Sequence, residues 1–149
     1  MSPRIIAAHE RLVAVEFGAF YFGNWPMDAT SDPPHLILRH AQPGVAFTET
    51  GVGFYSECYD DELALLRVRF LESEPARDGD GKSFRGEFFI SSNQLAPTTA
   101  GAVPEIPFTP PFRGGVGVLA THAAPTEDDV PLVRDKWSVD IWPVLTSGA

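Results

Sequence analysis

The stretch LALLRVRFL, Leu63 to Leu71, decides the fold. In an extended chain Leu66, Val68 and Phe70 fall on one side and Arg67 and Arg69 on the other, which is a period of 2 with a dry face and a wet face. The stretch SFRGEFFISS repeats the pattern, setting Phe84, Phe88 and Ile90 against Arg85, Glu87 and Phe89. Between the two lies PARDGDG, whose Asp-Gly pairs are the dipeptide that hairpin connections use to reach positive φ. The two strands are therefore expected to pair as antiparallel neighbours, with Leu66, Val68, Phe70, Phe84, Phe88 and Ile90 in one core. A calcium-loop reading of Asp78 and Asp80 fails, because the required glycine falls on Ser83 and the bidentate glutamate on Phe89.

Outward from this pair, glycine and proline cut the chain into segments too short for amphipathic helices, and Val, Ile, Phe, Trp and Tyr collect between the cuts. RLVAVEFGAFYFGNW, Arg11 to Trp25, alternates in its first half and becomes apolar on both faces near Phe20 to Phe22, as a bent or sheet-changing strand would. HLILRH, VAFTE, GFYSE, VGVLATH and WSVDIWPVL read as further strands. From Leu95 to Gly115 the prolines remove ladder donors, so this part forms at most an edge strand. The expected fold is all-β: a single-domain antiparallel β-sandwich over residues 1–149 with a Pro-rich connection at about 95–111, an open β-barrel being the alternative.

The formal charge of −9 repels nucleic acid phosphates and favours a basic protein partner. Cys58, the single cysteine, cannot form an internal disulfide. Glu10 and Arg11 interrupt what a secretory h-region would need, and no run approaches the length of a membrane-spanning helix. The reading is a soluble, cytoplasmic protein with no direct nucleic acid or membrane partner.

No spacing supports chemistry. His35 and His40 point to opposite faces of a strand, and His9 and His122 have no ligand-spaced companion, so no metal is expected. Cys58 lacks a CxxC partner, and no Gly-x-Ser-x-Gly elbow or phosphate-cradling loop occurs. The expectation is no enzyme, no catalytic residues and no cofactor. Trp137 and Trp142, an odd number of residues apart, face opposite sides of a regular strand, one in the core and one capping the sandwich or meeting a partner.

The acids are left. Asp60 to Glu62 and Glu72 to Glu74 are separated by a strand of some 30 Å and cannot share a site. Taking Leu63–Leu71 up, Phe84–Ser91 down, the Pro-rich piece up and Val116–His122 down brings the loops at 60–62 and 127–129 to one end. Asp60, Asp61, Glu62, Glu127, Asp128 and Asp129 are then candidates for one negative, partner-binding surface, against the plainer reading of a solvated strand-end.

The segment order resembles the competence protein J family, inhibitors of the DNA-entry nuclease. The likeness lies in GVGFYSE running closely into LALLRVRFLESEP, then FRGEFFISSN, EIPFTPPFRGGVGVLATHAAP and WSVDIWPV, spanning Val45 to Val144. The chain departs from the pattern at FGNWPMDATSDPP, around Leu95 to Pro104 and at TEDDVPLVRDK, so partner contacts there are not carried over. The resemblance implies a small β protein that binds and blocks a nuclease, and it supplies no catalytic residues. Together with the charge it points to an acidic inhibitor or immunity-type protein acting on a basic nuclease or toxin. The alternatives are a small-molecule or carbohydrate-binding module, with Trp25, Tyr55 or Trp142 in a cleft, and a structural assembly subunit.

Overall fold

A computed structural model describes residues 3–15, 18–26, 44–56, 62–76, 82–99, 106–123 and 133–144. Its strands are β1 (Ile5–Ala14), β2 (Ala19–Trp25), β3 (Gly44–Phe47), β4 (Gly51–Tyr55), β5 (Leu63–Leu71), β6 (Lys82–Ile90), β7 (Gln94–Thr99), β8 (Gly114–Ala123) and β9 (Val133–Pro143). They form a five-stranded sheet in the order β1-β5-β9-β8-β6 and a four-stranded sheet in the order β3-β4-β2-β7. The fold is an all-β sandwich with no closed barrel, and no helix occurs among the described residues. The segment HLILRH, the loop at 77–81 and Cys58 lie outside the described residues.

The two-faced strand at 63–71 behaves as its alternation requires. Leu66, Val68 and Phe70 are buried, while Arg67 and Arg69 point out and pair with neighbours across the strands. Phe88 and Ile90 join the same core, and Phe84 packs against it half-buried. The sheets meet through aromatic rings: Phe54, stacked on its cross-strand neighbour Phe20 at 4.8 Å, lies edge-on to Trp137 of the other sheet at 5.0 Å. The sheet change expected near Phe20 is the break between β1 and β2, where Gly18 has φ +72° and lets the chain turn from one layer to the other. In the proline-rich stretch β7 contains Pro97 and lies at the edge of its sheet, where a missing ladder donor costs least.

One pairing departs from expectation. β5 and β6 are not neighbours: β5 lies between β1, antiparallel to it, and β9, parallel to it, while β6 pairs with β8 alone among the described strands. Since β8 is antiparallel to both β9 and β6, β5 and β6 run the same way, and the chain between them crosses the sheet instead of making a hairpin. Cross-strand charges favour the observed order. Arg67 stands opposite Glu10 of β1 at 2.5 Å, and Arg69 makes a bidentate pair with Asp140 of β9 at 2.8 and 2.9 Å. Because the two strands run the same way, the connection also returns along the sheet: Leu71 lies level with Glu87, five residues past Lys82, so about ten residues at roughly 3.3 Å each cover three strand spacings of about 4.8 Å and about 17 Å along the strands, roughly 22 Å in all.

Two closures join the sheets at their margins. Beside β1 and β7, Phe108 bridges to Leu95 and inserts its ring among His9 (4.2 Å, stacked), Phe22 (5.8 Å) and Phe70 (6.1 Å). Where β6 ends, the turn at Thr48–Thr50 reaches across and the Glu49 carbonyl accepts the Phe89 N–H at 2.9 Å. Asn24 completes this corner: its side-chain oxygen accepts from the N–H groups of Ser91 (3.0 Å) and Ser92 (3.1 Å), and its NH₂ donates to the carbonyls of Phe89 (2.8 Å) and Thr50 (3.1 Å).

Candidate functional site

The parallel alignment of β5 and β9 puts Leu63 opposite Val133. β8 runs antiparallel to β9, so its last residue, Ala123, lies toward the same end. Leu63, Val133 and Ala123, the described residues that flank the segments before β5 and between β8 and β9, thus lie toward one end of the sheet. Of the six candidate acids, Glu62 is described: its carboxylate takes the Arg134 guanidinium at 2.6 Å and its side chain is only 16% exposed. Glu62 ties the start of β5 to β9 and is not a free surface charge. Asp60, Asp61, Glu127, Asp128 and Asp129 lie outside the described residues. Glu72 and Glu74, past the other end of β5, are each engaged locally, Glu72 with Arg4 at 3.5 Å and Glu74 with Arg85.

Close to the Leu63 end, a buried carboxylate joins the two sheets. Asp135 is 0% exposed and accepts from the Ser56 hydroxyl at 2.6 Å and the Trp137 indole N–H at 3.0 Å, while its other oxygen contacts His122 Nε2. Ser56 follows β4 of the four-stranded sheet, and Asp135 and His122 belong to the five-stranded one. Ser, His and Asp are the residue types of a nucleophilic triad, but there the histidine must stand between hydroxyl and carboxylate to take the hydroxyl proton. Here the hydroxyl donates directly to the carboxylate, and His122 reaches that carboxylate separately. The arrangement is a clamp that satisfies a buried charge with several donors and holds the layers in register beside the acidic segments.

The sequence reading passed over this clamp, although a signal was present. Asp135 has the same parity as Trp137, Val139 and Ile141, and His122 the same parity as Val116, Val118 and Ala120, so both polar groups fall on core positions of adjacent strands. His9 is also inward. Burial against Phe108 and Phe70, then the nearby Arg11 guanidinium, hold its pKa below the ordinary histidine value. His35 and His40 lie outside the described residues, and among those described no group of three or more potential metal ligands occurs. The aromatics singled out for a cleft do not converge. Tyr55 and Trp25 pair at opposite ends of β2, with Ala19 and Gln94 taking part, whereas Trp142 lies on the outer face of the other sheet.

No family model and no curated protein matches this chain. Two solved structures do. ComJ from Bacillus subtilis, the inhibitor of the DNA degrading activity of NucA, superposes with a TM-score of 0.60 over 97% of this chain and 100% of its own, at 14% identity. The chain has the ComJ fold. The second, Crocagin biosynthetic gene J, gives a TM-score of 0.62 over 92% of this chain and 97% of its own, at 15% identity. At such identity the likeness is one of fold. No helix of the described residues is long and apolar enough to cross a membrane.

Proposed function

We propose that the protein is an inhibitor that binds and blocks a nuclease or toxin through the end of the five-stranded sheet where β5 and β9 begin. The observation that carries this reading is the parallel alignment of Leu63 with Val133, which brings the flanks of the two acidic segments side by side. Asp60, Asp61, Glu127, Asp128 and Asp129 would supply the negative charge, and the Glu62–Arg134 pair ties together the starts of the two strands between which it is proposed to lie. Carboxylates presented in this way compete for the positive groups that a nuclease uses to hold phosphates, and steer a basic surface toward the inhibitor before contact. The ComJ fold supports the choice of a nuclease as the partner class.

The test is capture of the partner from the source lysate on the tagged chain, a nuclease assay of what is captured, and then charge reversal. Asp60→Lys, Asp61→Lys and Asp128→Lys together are expected to slow association about tenfold or more and flatten its salt dependence, with the fold retained. Equal losses on reversing Glu72 and Glu74 would show that net charge alone matters. A complex with both acidic segments facing solvent would end the proposal.

A further inference from the structure

Away from the acidic segments, the outer face of the five-stranded sheet holds a concavity of about 570 Å³, within the roughly 300–1,000 Å³ of small-ligand sites. Its floor is set by one register line, Glu87–Gly117–Trp142, across β6, β8 and β9. Only glycine at 117 lets the indole lie flat on the sheet, because a Cβ there would overlap the nitrogen-bearing edge of the ring. The ring packs with Leu71 and Leu119 in a small apolar cluster separate from the main core, and Trp142 is 5% exposed. Arg85 lies 5.4 Å from the ring centroid and is held there by Glu74.

Two groups in this cleft have no protein partner. The Trp142 indole N–H, on a side chain more than nine-tenths buried, makes no hydrogen bond among the described residues and stays open to solvent at the cleft, so a ligand there can supply its acceptor. The Glu87 carboxylate, on the other side of Gly117, likewise has no ion pair or hydrogen bond among them. Of the carboxylates lining the cleft, Glu72 is paired with Arg4 and Glu74 with Arg85, which leaves Glu87 as the one whose charge is open to a cation among the described residues. A ligand that completes both groups must carry an acceptor for the indole and a positive group for Glu87.

We propose that this cleft binds an arginine or lysine residue, the residue's own carbonyl accepting from Trp142 and its cationic head meeting Glu87. A polyamine brings the charge without the acceptor, and a neutral amide brings the acceptor without the charge. The site does not depend on the acidic segments at the Leu63 end. It adds a second, sequence-reading contact to whatever protein the chain binds.

The experiment follows the Trp142 indole resonance in ¹H–¹⁵N spectra of the whole chain, assigned with Trp142→Phe among the 3 tryptophans. Three probes are titrated: N-acetyl-arginine-N-methylamide, its citrulline counterpart and agmatine. The arginine probe is expected to shift the Trp142 signal saturably, with agmatine weaker and citrulline weakest. Glu87→Gln, at an exposed strand position, should weaken the arginine probe about tenfold while leaving the rest of the spectrum in place. The triple reversal of Asp60, Asp61 and Asp128 should leave this titration unchanged, so failure of the acidic surface and failure of the cleft are distinguishable. Equal binding of citrulline, indifference to Glu87→Gln, or a Trp142 signal unmoved up to the solubility of the arginine probe would each overturn the assignment.

Discussion

The closures at Phe108 and at Asn24 hold the same two sheets by opposite means. Phe108 fills space: its ring meets His9, Phe22 and Phe70, and what it contributes scales with the volume excluded from water. Asn24 fills no gap of consequence. It bonds four backbone groups, the Ser91 and Ser92 N–H groups and the Phe89 and Thr50 carbonyls, the last of which also accepts from the Asn24 N–H and the Tyr21 hydroxyl, and each bond has a direction. An apolar plug sets how firmly the layers adhere, whereas a carboxamide sets where the chain must turn.

The contrast is open to attack first at its apolar side. Phe108→Ala is expected to cost about 3–5 kcal/mol in denaturant unfolding, since a nearly buried ring leaves a cavity among rings that are themselves packed. A loss smaller than that of the polar closure would reverse the ranking. Asn24→Ala should cost about 2–3 kcal/mol, the sum of lost bonds and backbone groups left without partners. Hydrogen exchange at Ser91 and Ser92 should accelerate with it, which Phe108→Ala would not produce selectively.

The smallest effect is one of pH and belongs to the apolar closure. His9 has a folded-state pKa below its ordinary value of about 6.5, because burial and then Arg11 disfavour the imidazolium. The unfolded chain therefore takes up the proton first as pH falls through about 6.5, and stability declines below that point while being fully present above it. His9→Leu should remove this part of the pH dependence and leave the contribution of Asn24 untouched. A slope unchanged in His9→Leu would place the titration elsewhere.

The alternation that made Leu66, Val68 and Phe70 core and Arg67 and Arg69 surface was legible in the sequence because it is local: each side chain's face follows from its neighbours two residues away. So was the division of Trp137 from Trp142. Strand adjacency was not legible. Asp-Gly pairs between two alternating strands argue for a hairpin, but the matches that mark the partners of β5, Arg67 with Glu10 and Arg69 with Asp140, are 57 and 71 residues apart in the chain. The need for glycine at 117 was not legible either, since nothing local tells that a tryptophan from the next strand rests on it. The candidate acids were visible as clusters, but of these the described Glu62 is held by Arg134, a pairing that depends on the same distant register.

That register has a consequence for the nascent chain. β9 is the last of the described strands to leave the ribosome, and it takes the central place in the five-stranded sheet. At roughly 5–20 residues per second, β1 and β5 on one side and β6 and β8 on the other have about 1–4 seconds as separate ribbons, their facing edges unpaired, before residues 133–143 arrive to zip them together. A message truncated before Val133 yields two half-sheets with open inner edges, and such a fragment is a template for pairing with its own copies.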